Sequence, residues 1–299
     1  MQSMTDTAQA PDPQRHRAWA LLSRVALSAP GMVAELVQAH GPVEAADRIV
    51  SGVIDARYGP RDWQRAEDDL FRTTLMGGRL LTRDDPQWPD CLTDLDGLGA
   101  DVHAPLALWV RGPETPDLFT SNMIGVVGSR AASGYGQHVT HDFASALARG
   151  GWTVVSGAAF GIDAAAHTAA LIENGSTIAV LPCGLDRPYP AAHERLLTRI
   201  VDTGLVISEY PPGTGPAKPH FLARNRIIAA LSRGVLVCEA GLRSGTANTV
   251  HWATQLGRPV AAVPGPITSA TSVGCHDMIR TSQARLVTNI DQIQDTILG

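Results

Sequence analysis

The chain predicts an α/β fold: a doubly wound, mostly parallel sheet of Rossmann-like kind, preceded by a small all-helical N-terminal domain. Three observations carry this. Short apolar runs recur at MIGVVG (123–128), TVVSG (153–157), TIAVLP (177–182), LVISEY (205–210), VLVCEA (235–240), PVAAVP (259–264) and ARLVTN (284–289). Helical stretches of roughly 10 to 20 residues separate them, and near-continuous β-branched runs alternating with helices read as parallel strands covered on both faces. Glycine-rich turns follow the first, second and fifth runs, at the edge where such sheets hold ligands.

In chain order, residues 1–14 (MQSMTDTAQAPDPQ) are polar with two prolines and read as a disordered tail. Residues 15–76 read as a helical domain built from AWALLSRVALSAP, MVAELVQAHGP and VEAADRIVSG, which Gly and Pro separate. One more helix over 62–77 follows and breaks at Gly77-Gly78. The size suits a SAM-like or helix-hairpin-helix module, but the hairpin's Gly-x-Gly turn is missing. A packing or partner role is therefore expected ahead of nucleic-acid contact. Residues 77–299 make the extended sheet domain. Its opening part, RLLTRDD and ALALWV around the proline-rich turn 85–89, adds one or two strands to the sheet.

The totals exclude several classes. A length of 299 residues leaves room for about two domains. The formal charge of −5 rules out a broadly basic surface, so any nucleic-acid contact must be a local patch. Cys91, Cys183, Cys238 and Cys275 are scattered without a CxxC pair, which argues against a zinc ribbon or a disulfide framework. Cys183 and Cys238 fall inside apolar runs and are expected to be reduced, buried thiols. No apolar run approaches the length of a membrane span and no signal-peptide pattern opens the chain, so a cytoplasmic protein is expected.

The glycine-rich turns narrow the ligand. After the first run come Gly128, Ser129 and Arg130, leading through Gly134-Tyr135-Gly136 into a helix. Small residues admit a ligand to the backbone, and free N–H groups at a helix start favour an anion. The GxGxxG fingerprint is absent, and the second run ends in Ser156-Gly157 rather than an acid. Both facts disfavour a nicotinamide dehydrogenase. The second turn continues through Phe160, Gly161 and Asp163 to His167. Asp163 reads as a helix-dipole complement and His167 as a helix-face residue, with no acid–base role assigned to either. The turn after the fifth run carries Ser244, Gly245 and Thr246, a good anion nest. Three such turns on neighbouring strands would make a continuous phosphate-binding rim.

The segment Phe221–Ser232 (FLARNRIIAALS) begins just after the fourth run, on the same edge. Phe221, Arg224, Asn225 and Arg226 lead into an apolar stripe of Ile227, Ile228 and Leu231, and Lys218, the only lysine, lies just upstream. A ring for stacking, guanidinium groups for phosphates and a rigid helix are what a single-stranded nucleic-acid groove needs.

The ordered motifs GSR, SGxAxGIDxxAH, LPCGLDxxYP, SEYPPG, FxxRNRIIAxLS, EAxxxSGTxxT and GRPVxAVPG resemble the DNA-processing protein A (DprA, also called Smf) family over residues 79–290. The resemblance implies a cytoplasmic, non-catalytic mediator that needs no cofactor. Such proteins bind single-stranded DNA, load the RecA recombinase in natural transformation, and act as homodimers. Carried to this chain, it implies a pocket of Arg130, Lys218, Phe221 and Arg224, supported by Asn225 and Arg226. Phosphates would meet the Ser156-Gly157 and Ser244-Gly245-Thr246 turns, and Gly128, Ser129, Phe160 and Gly161 complete the set. Leu222 stands where many members have Pro. Many members also carry a C-terminal winged-helix-like domain, for which residues after the last run leave no room. Arg130→Ala or Arg224→Ala is expected to weaken binding by about 1–3 kcal/mol whatever the base sequence.

The rival reading is a nucleotide-binding sensor, or an enzyme resembling the LOG-type nucleoside monophosphate phosphoribohydrolases. Those enzymes use a catalytic glutamate in a PGGxGTxxE loop. Here Thr249 or Val250 stands where that carboxylate is expected. A dimer or RecA surface is not marked by the sequence. His251, Trp252 and Leu256, after the SGT turn, are the candidates for an interface.

Overall fold

The computed structural model describes residues 12–99, 102–114, 119 and 122–298. Of the expected disordered tail, residues 1–11 lie outside the described residues. The remainder is helical: Asp12 caps α1 (Pro13–Ala26), its carboxylate accepting from the Gln14 N–H at 3.0 Å. α2 (Pro30–Val50) is kinked where the sequence suggested two helices, because Gly41 adopts φ 75° just before Pro42. α3 (Pro60–Leu75) follows, with the Asp62 carboxylate accepting from the Gly59 N–H at 2.8 Å.

A nine-stranded sheet has the order β1-β2-β6-β5-β4-β3-β7-β8-β9. β1 (Gly78–Thr82) and β2 (Ala107–Arg111) are the added antiparallel pair, with Trp109 opposite Leu80 and Ser208. The rest is parallel: β3 (Met123–Gly128), β4 (Thr153–Ser156), β5 (Thr177–Leu181), β6 (Leu205–Ser208), β7 (Gly234–Glu239), β8 (Val260–Ala262) and the short β9 (Arg285–Leu286). β3 lies between β4 and β7, so the chain leaves it to one side and returns to the other. That reversal is where a ligand crevice opens in a doubly wound sheet.

Both faces are covered, as the continuous apolar strands require. On one face Ile124, Val126, Leu236 and Cys238 pack with α4 (Gly134–Arg149), α5 (Ile162–Ile172) and α10 (Ile290–Leu298). Alternate residues Met123, Val127, Val235 and Val237 meet α7 (Lys218–Leu231), α8 (Thr246–Gln255) and α9 (Val273–Arg280) on the other. A third cluster joins α1–α3 and α6 (Glu194–Thr203) to β1, β2, β5 and β6. The helical segment thus shares a core with the sheet. Arg15 and the Trp19 indole also both donate to Asp84 of the connector. Cys183 and Cys238 are buried, and burial pushes their thiols up to about 11 and about 12. Trp109 fills the joint between helices and sheet and is fully buried. Trp109→Ala is expected to cost about 3–5 kcal/mol in urea denaturation, through lost burial and the cavity left behind.

Candidate nucleic-acid interface

The turns after β4, β3 and β7 are neighbours at the carboxyl edge, and α7 runs beside them. Together they surround a groove of about 710 Å³. Its lining includes Gly128, Ser129 and Arg130 from the first turn, Lys218, Phe221, Arg224 and Asn225 from α7, and Ser244, Gly245 and Thr246 from the third. The Arg130 guanidinium lies 5.0 Å from the centre of the Phe221 ring, a cation–π pair at the groove's mouth. Arg130, Lys218 and Arg243 are exposed cations of the lining. Sequence reasoning missed Arg243 and Tyr189. Arg243 directly precedes the anion nest, which was its signal. Tyr189 meets Phe221 edge-on at 5.2 Å between centroids.

The structure puts the three residues of the Arg-Asn-Arg run to three different uses. Arg224 is 4% exposed and turns inward; its Nη1 donates to the Gly157 carbonyl at 2.6 Å and to the Val180 carbonyl. Its Nε donates to Asn225 Oδ1 at 3.2 Å. Burial pushes its pKa down to about 10, with the Asp163 charge opposing and the Arg130 charge adding to the fall. The guanidinium is therefore a buried strut whose donors are taken up by the chain, although Arg224 still contributes to the groove lining. Asn225 Nδ2 donates to the Gly245 carbonyl at 3.3 Å and to Asn248 Oδ1 at 3.2 Å, tying α7 to the third turn. Arg226 points away from the groove and makes a bidentate pair with Glu209 at 2.6 and 2.8 Å.

Two of the three anion-accepting turns are already filled by the chain itself. Asp163, at the start of α5, accepts from the Ala159 N–H at 3.3 Å, and the Gly157 N–H also lowers its pKa. Burial nonetheless holds its carboxyl above the usual range, with the nearby Arg224 charge opposing. A Cβ at Gly157 would overlap the Arg224 guanidinium, and the Ser156 hydroxyl donates to the Val126 carbonyl at 2.7 Å. Ser156 and Gly157 therefore lie beneath Arg224 and are not among the residues that line the groove. At the start of α4 the buried Glu239 carboxylate takes the same place. It accepts from the Ser133 N–H at 2.8 Å, and from the Ser133 and Thr271 hydroxyls at 2.6 Å each. The turn that remains open is Ser244-Gly245-Thr246 at the start of α8.

Phe160 and Gly161 also stand outside the lining. Phe160 is 49% exposed, and the Gly161 turn packs against the Ser129 and Arg130 carbonyls. His167 is fully buried. Its Nδ1 lies 2.7 Å from Thr177 Oγ1, whose own proton goes to the Val154 carbonyl. The ring therefore donates from Nδ1, and burial pushes its pKa down to about 3, so it stays neutral. Among the proposed interface residues, Trp252 packs against the core and meets His251 edge-on.

Residues 79–298 match the profile of the DNA recombination-mediator protein A family. A Mycobacterium tuberculosis relative named DNA processing protein DprA is 49% identical over 291 residues, covering 94% of this chain and 75% of the relative. The X-ray structure of DNA processing protein A (DprA) from Streptococcus pneumoniae superposes with a TM-score of 0.72 at 35% identity, over 94% of this chain and 95% of that one. A structure of DNA processing protein A from Helicobacter pylori, concerned with its single-stranded DNA binding mode, superposes with a TM-score of 0.64. The identity there is 30%, over 73% of this chain and 95% of that one.

Proposed function

The chain belongs to the DNA recombination-mediator protein A family, and from that premise we propose that it binds single-stranded DNA in the carboxyl-edge groove. We further propose that it acts as a cytoplasmic homodimer that loads RecA onto the bound strand. The observation that carries the reading is the Arg130–Phe221 pair at the groove's mouth, 5.0 Å apart, flanked by the exposed cations Lys218 and Arg243. A guanidinium plane and an aromatic ring both accept stacked bases, and the free cations meet phosphates. The open Ser244-Gly245-Thr246 nest adds N–H donors for one further phosphate.

The reading involves no chemical step. Among the groove-lining residues the only carboxylate is Asp163, which is held by backbone N–H groups beside Arg224. Thr249 and Val250 are both buried where a hydrolase would need its acid. Among the described residues no helix is long and apolar enough to cross a membrane.

Fluorescence anisotropy with labelled oligo-dT and its duplex tests the reading. Binding is expected to favour the single strand and to fall with salt. Three groove cations predict a slope of log affinity against log salt near about −2. RecA filament growth on the same strand should accelerate when the protein is added. Equal affinity for duplex and single strand would overturn the binding role. Unchanged RecA assembly would overturn the loading role alone, and release of free base from AMP would favour the enzyme instead.

A further inference from the structure

We propose that Phe160 and His193 form a second base-stacking platform beside the groove, over which the single strand continues after leaving the Arg130–Phe221 site. The inference rests on the groove reading and extends it. Phe160 is a large ring at the protein surface, 49% exposed on the turn between β4 and α5. It is held in place: His193 meets it edge-on at 4.7 Å between centroids, and His193 Nδ1 is bonded to the Ala158 carbonyl at 2.9 Å. About half of the residue's surface stays open to solvent, where a base can stack on the anchored ring.

Three links tie this pair to the groove. Ala159, the residue before Phe160, lines the groove. The turn rests directly on the backbone of the Arg130 loop, where the Ile162 N–H donates to the Ser129 carbonyl at 3.1 Å and Gly161 packs on the Arg130 carbonyl. The segment 189–193 spans the two sites. Tyr189 touches Phe221 at its start, and His193 touches Phe160 at its end. Beyond His193, α6 carries Arg195 and Arg199 one turn apart, both exposed, and neither forms an ion pair among the described residues. Rings that accept any base, followed by uncommitted arginines, are the elements of a path for a strand without sequence preference.

The commitment is to a continuing single strand. A second copy of the chain or another protein would use the same exposed ring differently, and length dependence separates these occupants. Anisotropy is measured for the full chain with oligo-dT of about four and about twelve nucleotides, within the site sizes of single-strand grooves. Phe160→Ala is expected to weaken the longer strand about tenfold, the loss of one stacked base, and to leave the shorter strand within about twofold. Phe160→Tyr should bind both lengths like the wild type. Arg130→Ala should weaken both; normal binding of both lengths by that variant would overturn the groove reading itself, which separates its failure from a failure of the platform. Phe160→Ala that binds both lengths normally would overturn the platform. Equal loss at both lengths, or a changed oligomeric state by light scattering with unchanged binding, would overturn it too.

Discussion

Replacing Arg224 by methionine is expected to destabilise the fold by about 3–5 kcal/mol, the cost of leaving a buried charge without its partner. The opposing charge is Asp163, buried at the start of α5 and acting on Arg224 without a direct ion pair. The guanidinium also satisfies the Gly157 and Val180 carbonyls at the ends of β4 and β5, which the methionine leaves without that donor. Asp163→Asn combined with Arg224→Met should recover most of the lost stability, because it removes both charges together. Urea denaturation of the two single variants and the double variant reads this directly. A double variant as unstable as Arg224→Met alone would place the loss in packing rather than charge.

The pH dependence has a definite sign. In the native protein burial raises the Asp163 carboxyl above its ordinary value, and the Arg224 charge opposes that rise. A raised carboxyl contributes stability that is fully present below the unfolded value near about 3.9 and is lost as pH rises through the folded value. Without Arg224 the opposing charge is gone, so the folded value climbs further. The deficit of Arg224→Met should therefore be largest at neutral pH and shrink as pH falls toward about 4, where Asp163 is neutral in both states. Equal deficits in urea midpoint at both ends of that range would sink this account.

The inward turn of Arg224 was legible in the sequence, though only by helical geometry. It precedes Ile227 by three and Ile228 by four, which puts it on the buried stripe of α7. Its residue type argued for phosphate, and the period argued for the core; the period prevailed. The strands were legible because burial on both faces leaves continuous β-branched runs, and the Gly41-Pro42 break was legible because positive φ suits glycine. What occupies each glycine turn was not legible. Glu239 reaches Ser133 across 106 residues of chain, a contact that exists only because β7 pairs with β3. Asp163 was visible as a first-turn acid, but nothing local showed that its carboxylate would also face a buried arginine. Phe160 stood out as a ring in a small-residue turn, yet its distance from the groove lining depends on how that turn lies against the Arg130 loop.

Arg130→Ala and Phe221→Ala should each weaken oligo-dT binding by about 1–3 kcal/mol, and salt tells their roles apart. Arg130 is exposed, so its removal should flatten the salt slope by about 0.7, the share of one phosphate on a single strand. Phe221→Ala should lower affinity with the slope unchanged, since a stacked ring releases no counterion. The two side chains touch, so the double variant should lose less than the sum of the single losses. Full additivity would mean that they serve the strand separately, and a salt slope unchanged by Arg130→Ala would remove the phosphate contact. Stability should move the other way from binding. The Arg130 charge lowers the pKa of the buried Arg224, so the two cations repel across the groove floor. Removing Arg130 relieves that repulsion, and the variant should be no less stable than the wild type in urea. Of the two, only the exposed Arg130 is free to meet a phosphate, since the Arg224 guanidinium is spent on the Gly157 and Val180 carbonyls beneath it.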